Sequence, residues 1–383
     1  MHVRSWRLGA LPILGFGALV IAHACGGDDS TPTPTPDGGT AGAGGGSDAG
    51  ADGSNAGAGG SSAGDSGVTS DAGDAGIASD AGDAGTASDG PTPVFLAHFP
   101  TTQLPEGIGV HAGTPIAGLT QLATVVSVLS DGGTSTFGTV LEAGAATATN
   151  TLGIANDTAG NVYVGVGTLT PDAGPSPAPG VYKFPPTGGV GTLFSSAPGM
   201  NFPNGLDFVG STLYVADSAG TIYAIDSAGH ATVWVSDALF LPNTTACNGM
   251  VPVPIGANGI THNASAFFVT NTNFGRIVKI PYDADGGAGT PTKFVEDCSL
   301  AGADGGGGDS KDDSLIVAIN VQNKIVRITQ AGQVSIVTSG GPLDFPASVV
   351  IDALDAGRRL LFTNAALFSG DAGKPGVLAL PIP

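Results

Sequence analysis

Four oxygen-bearing side chains stand at the heads of similar phrases along this chain. They are Glu106 in LPEGIGV (104–110), Asn204 in PNGLDF (203–208), Asn258 in ANGITH (257–262) and Asp304 in GADGG (302–306). Two carboxylates and two carboxamides offer only oxygen donors, the set a hard divalent cation takes. Their two formal negative charges match such an ion, and its remaining positions would stay open to water and a substrate. Calcium is the expected ion because neutral amide oxygens suit it, with Zn2+ or Mg2+ as the other candidates. Each residue also has a plainer reading. Asn-Gly is a common tight-turn dipeptide, Glu106 follows Pro105 in what reads as a solvated loop, and Asp304 lies in the Gly/Asp-rich string GADGGGGDSKDD.

Competing chemistry is scarce. The six histidines are scattered, and no H-E-x-x-H spacing occurs. GSSAG (60–64) and GDSG (64–67) match hydrolase strings, but they lie in Gly/Ser-rich sequence with no strand and helix to hold a strained nucleophile.

To bring residues so far apart together, the chain must repeat. LGIAND (152–157) and FPASVVID (345–352) complete a series of six heads, about fifty residues apart. After each head comes an apolar strand such as NVYVGV, TLYVAD, AFFVTN, LIVAIN or LLFTNA, then a third such as GVYKFP, TIYAID, RIVKIP or GVLALP. ATVWVSD, TKFVED and QVSIVTS supply a fourth. Short strands punctuated by Gly, Asn and Asp, with no convincing 3.6-residue apolar period, predict an all-β fold over 93–383. Four strands per unit at this period predict a six-bladed β-propeller. The last unit lacks a fourth strand while VFLAHFP (94–100) lacks a unit, so these two should pair and close the ring. Two β-sandwiches would not produce six matching heads.

The N-terminal region reads differently. Residues 1–25 carry Arg4 and Arg7, then an apolar stretch too short to span a membrane, then AHAC ending at Cys25. That is an export signal, and a cysteine at the cut resembles the bacterial lipoprotein type, with Cys25 lipidated. Ala22 and His23 depart from that pattern. Residues 26–92 are almost entirely Gly, Ala, Asp, Ser, Thr and Pro, a composition that cannot offset its chain entropy and predicts a disordered tether. The tether holds eleven Asp and no Lys or Arg, so much of the net charge of −20 belongs to it. With 12 Lys+Arg in the whole chain, nucleic acid is not an expected partner.

The phrases PEGIGV, PNGLDF…LYVADS…TIYAID, ANGITH…FFVTN…GRIVKIP and LIVAINVQNKIVRI…GGPLDFPASVV together resemble the gluconolactonase/regucalcin (senescence marker protein) family. The resemblance covers the propeller region. It implies a six-bladed propeller with one divalent cation on its axis, held by Glu, Asn, Asn and Asp in that chain order, which here are Glu106, Asn204, Asn258 and Asp304. It further implies hydrolysis of a lactone or related ester, with Asp304 as the base. Two departures stand out. Gly305 to Gly308 follow Asp304 where the family has an apolar strand, which predicts a weak strand there, and LGIAND places Gly153 where a fifth donor would fall.

The expected protein is therefore an exported, lipid-anchored monomer in a bacterial cell envelope, periplasmic or on the cell surface. It would touch the membrane only through its anchor and act on a small lactone or ester. The alternative is a surface-displayed binding propeller without activity, since fold does not imply function. Finally, Cys247 and Cys298 sit in connections leading into adjacent heads, and in an oxidising compartment they are expected to form a disulfide.

Overall fold

The computed structural model describes residues 92–140, 149–168, 177–354 and 357–383. The expected export signal, Cys25 and the tether up to residue 91 lie outside this set.

The described residues form six sheets arranged as blades, antiparallel except for one short pair. Their innermost strands are Leu104–His111, Thr149–Asn156, Pro203–Val209, Ala257–His262, Ala303–Asp309 and Pro346–Leu354, in blades 1 to 6. All six sequence heads fall on these strands. Neighbouring inner strands contact one another around the ring, including blade 6 against blade 1. The closure follows the expected pattern. Val94–His98 is the outer strand of blade 6 and pairs antiparallel with Gly376–Ile382, Val94 opposite Ala379 and His98 opposite Gly376. Blade 1 gains an unanticipated fifth strand when Gly189–Val190 pairs parallel with Gly138 and Thr139.

The packing explains why the second strand of each unit reads as an apolar run. Ala266–Asn271 and Ser314–Ile319 are buried at every position, because both faces of a blade are covered by its neighbours. The outermost strand Val334–Ser339 is instead exposed at its first three residues, Val334, Ser335 and Ile336. Six apolar clusters result, each lying between two successive blades. One joins blades 6 and 1 through Ala97, Val377 and Ala379 against Ile108, Ala117 and Val126. Another joins blades 3 and 4 around Tyr214, Phe267 and Trp234. Truncating a buried core side chain such as Phe267 to Ala should cost about 3–5 kcal/mol.

The second strands of blades 3, 4 and 6 end in Asp or Asn for a structural reason. Asp217 accepts from the backbone N–H groups of Asn201, Phe202 and Ala219. Asn271 donates to the carbonyls of Leu239 and Leu241, and Asn364 to those of Pro342 and Lys374. These side chains staple the loops on the face where the inner strands begin.

Candidate metal centre

Each inner strand carries a β-bulge at the same place. The pairing register shifts between Pro105 and Ile108, Thr151 and Ile154, Pro203 and Gly205, Ala257 and Ile260, Ala303 and Gly306, and Pro346 and Val349. A bulge re-aims a side chain, and such distortions recur beside functional sites. The bulges hold Glu106, Leu152, Asn204, Asn258, Asp304 and Ala347, one per blade.

The residue after each bulged position explains the Asn-Gly pairs. A Cβ on Gly107 would lie 1.9 Å from the carbonyl oxygen of Leu152, one on Gly153 2.1 Å from that of Asn204, and one on Gly205 2.4 Å from that of Asn258. A Cβ on Gly259 would stand 2.6 Å from the oxygen of Asp304, and one on Gly305 2.7 Å from the Cα of Ser348. Glycine is needed here because inner strands converge on the axis, leaving no room for a side chain. The tight-turn reading fails. Asn204 and Asn258 lie inside strands, and Gly205 and Gly259 are absent from the positive-φ positions among the described residues. Two further expectations are corrected. Gly305 to Gly308 belong to a continuous strand paired with Leu315, Ile316 and Val317, and Gly305 is required by close packing rather than weakening it. In blade 2 the position equivalent to the donors is Leu152, not Gly153, and it brings an apolar side chain to the axis.

Glu106, Asn204, Asn258 and Asp304 line one cavity of about 90 Å3. Three of the four side chains are backed by a polar residue just past the end of the next strand. Asn204 Nδ2 donates to Ser218 Oγ (3.3 Å), Asn258 Nδ2 to Thr272 Oγ1 (2.9 Å), and Asn320 Nδ2 to Asp304 Oδ2 (2.8 Å). Thr272 Oγ1 spends its own proton on the Ala303 carbonyl (2.7 Å), so it can only accept from Asn258. That fixes the Asn258 amide with Oδ1 turned away from Thr272, and this oxygen is buried with no hydrogen-bond partner. The backbone beneath is held as well. Thr270 Oγ1 donates to the Asp304 carbonyl, and Thr363 Oγ1 to that of Glu106. Sequence reasoning missed Ser218, Thr272 and Asn320. Their signal was a polar residue after each second strand, in AD-S, TN-T and AI-N.

The electrostatics are those of a carboxylate pair lacking a counter-charge. Burial pushes Asp304 up to about 7, with hydrogen bonds from Asn320, Asn258 and the Gly305 backbone opposing the rise. Burial, and then the negative charge of Asp304, hold Glu106 well above the ordinary carboxylate range. An unpaired amide oxygen and two destabilised carboxylates around one cavity are the complement a divalent cation needs. The residues present therefore fit the expected ion. Among the described residues, no three His, Cys, Asp or Glu side chains gather as a separate cluster able to hold a metal.

The wall above this floor comes from loops. Val251, Val253 and Ile255 reach the cavity from the connection into blade 4. That connection is held by Asn273 Nδ2, which donates to the carbonyls of Val251 (3.0 Å) and Val253 (2.9 Å). It is also tied covalently: Cys247 and Cys298 are disulfide-bonded, with a Cα separation of 5.3 Å.

No protein-family model matches the chain, and no curated protein matches it by sequence. Solved structures do. A calcium-binding protein, regucalcin, from Agrobacterium tumefaciens is 17% identical with a TM-score of 0.57, over 76% of this chain and 94% of that one. A gluconolactonase from Xanthomonas campestris is 16% identical with a TM-score of 0.54, over 76% and 89%. A luciferin-regenerating enzyme is 16% identical with a TM-score of 0.52, over 76% and 96%. This chain is accordingly a six-bladed β-propeller sharing the architecture of the regucalcin and gluconolactonase propellers.

Proposed function

We propose that the protein is a metal-dependent hydrolase of lactones or related esters, exported and lipid-anchored through Cys25. One observation carries the catalytic part: Glu106, Asn204, Asn258 and Asp304 converge on one cavity, where the Asn258 amide oxygen is left unpartnered. These four residues would hold a divalent cation, with calcium favoured by the two carboxamides. When bound, such an ion supplies Lewis-acid polarisation of a carbonyl and acidifies water.

The chain's own residues then have distinct tasks. Thr272 and Ser218 hold the two amides in place, and Asn320 fixes one oxygen of Asp304. The Asp304 carboxylate, which lines the cavity, would take a proton from attacking water as the water oxygen bonds to the carbonyl carbon. The ring C–O bond breaks, and the alkoxide recovers the proton, so that lactone and water yield a hydroxy acid. The resemblance in the six heads and the shared architecture support this reading.

The test is a panel of lactones and aryl esters assayed with calcium, with EDTA, and after calcium is restored. Turnover that EDTA removes and calcium returns supports the proposal. Absence of turnover on every member, despite calcium binding, favours the surface-displayed binding propeller. Anchoring is tested separately by mass spectrometry of the mature N-terminus, where an unmodified Cys25, or cleavage at another residue, would contradict it.

A further inference from the structure

The cavity is divided sharply between a polar floor and an apolar wall. Among the described residues, its charged lining residues are Glu106 and Asp304, with no Lys, Arg or His beside them. A substrate carrying its own carboxylate or phosphate would find no cation on the protein to receive it. Several floor donors are already engaged, although each carboxamide keeps a second N–H. Thr120 Oγ1 donates to Asn150 Oδ1, Thr272 Oγ1 to the Ala303 carbonyl, and Asn320 Nδ2 to Asp304. Above the floor the lining is hydrocarbon, including Val251, Val253, Ile255 and Phe345. At the mouth Phe368 is 69% exposed, an unusual position for so large an apolar side chain, and it packs edge-on against Phe345 with ring centroids 5.2 Å apart.

We infer that the substrate is a lactone or ester with an apolar acyl chain, not a polyhydroxylated sugar lactone. This rests on the hydrolase reading above and narrows it. A sugar ring brings several hydroxyls, and each one buried against Val or Phe without a partner loses affinity. An alkyl-substituted lactone instead places its ester group at the polar floor. Its chain lies along the loop of Val251 to Ile255 toward Phe368, where burying each methylene is favourable.

The experiment compares unbranched δ-lactones of increasing alkyl length with glucono-δ-lactone, using the full chain in calcium. Binding of the corresponding δ-lactams, which resist hydrolysis, is measured in parallel by calorimetry. The expected result is a rise in kcat/KM, and in lactam affinity, of about three- to fourfold per methylene over the first few carbons. Phe368→Ser and Val253→Ser should flatten that slope. A flat series, or preference for the sugar lactone, overturns the inference while leaving the hydrolase reading intact. Absence of all turnover with the lactam gradient preserved overturns the hydrolase reading and keeps the apolar site. Lactams that bind without a gradient, or do not bind, overturn the inference outright.

Discussion

Blades 1, 3, 4 and 5 differ from blades 2 and 6 in one residue each, at a position whose backbone is the same in all six. Every inner strand bulges there, yet four blades present Glu106, Asn204, Asn258 and Asp304 while two present Leu152 and Ala347. The backbone device is thus a property of closing six strands around an axis. The chemistry is a property of which side chain rides on it. Supporting residues follow three of these four: Ser218, Thr272 and Asn320 bond Asn204, Asn258 and Asp304 in blades 3, 4 and 5.

The largest effect should come from removing a donor that also handles the proton. Asp304→Asn keeps the shape and the bond to Asn320 in part, and should lower lactone turnover about 10²- to 10⁴-fold. The matching change in a blade without a donor, Leu152→Met, should alter turnover by far less. Comparable losses would mean that the four-against-two division has no catalytic meaning.

The second prediction concerns the covalent tie between the connections into blades 4 and 5. The Cys247–Cys298 bridge spans a separation of 51 residues. Replacing both with Ser should cost about 4 kcal/mol in the chain-entropy model, measured by denaturant unfolding against the oxidised wild type. An unchanged midpoint would mean that the loop wall is held by Asn273 and packing alone.

A third test separates backbone from chemistry. Gly107→Ala forces a Cβ to 1.9 Å from the Leu152 oxygen and should cost about 1–3 kcal/mol, although it touches no donor side chain. Ser348, which follows Ala347 in blade 6, already carries a Cβ at the equivalent place. Ser348→Gly should therefore change stability by less than about 1 kcal/mol. A tolerated Gly107→Ala would show that the ring relaxes more easily than the contacts imply.

The smallest expected effect is a pH dependence that calcium removes. Asp304 is raised from its ordinary value to about 7, and Glu106 is raised as well. Between the ordinary carboxylate range and about pH 7, the ion-free folded protein binds more protons than the unfolded chain. Its stability therefore falls as pH rises through that window. Melting of the EDTA-treated protein should drop by a few degrees between pH 5 and pH 8 relative to Asp304→Asn, and saturating calcium should abolish the difference. Equal pH slopes for both proteins would place the carboxylates in water.

Much of this was legible in the sequence because repetition leaves a visible period. The six heads, the closing strand at Val94–His98 and the four side chains that line one cavity could be read from phrase alignment and the family resemblance. The bulge register was not legible, since a shift of one residue in the pairing leaves no compositional mark. For that reason Gly153 stood in for Leu152. The glycines after each head were misread for a related reason: a glycine that avoids a neighbouring strand and one that loosens its own strand look identical in a single chain. The loop wall was hidden too. Val251 reaches the cavity from the connection into blade 4, and Phe345 and Phe368 from loops of blade 6, so only the folded ring brings them together.

The most direct test of the central claim is a crystal structure of the protein grown in calcium, with the ion identified by its anomalous signal. The expected result is a single ion on the axis, with oxygens of Glu106, Asn204, Asn258 and Asp304 at about 2.3–2.6 Å and water in the remaining positions. An ion held elsewhere, or millimolar calcium leaving these four side chains around water alone, would contradict it.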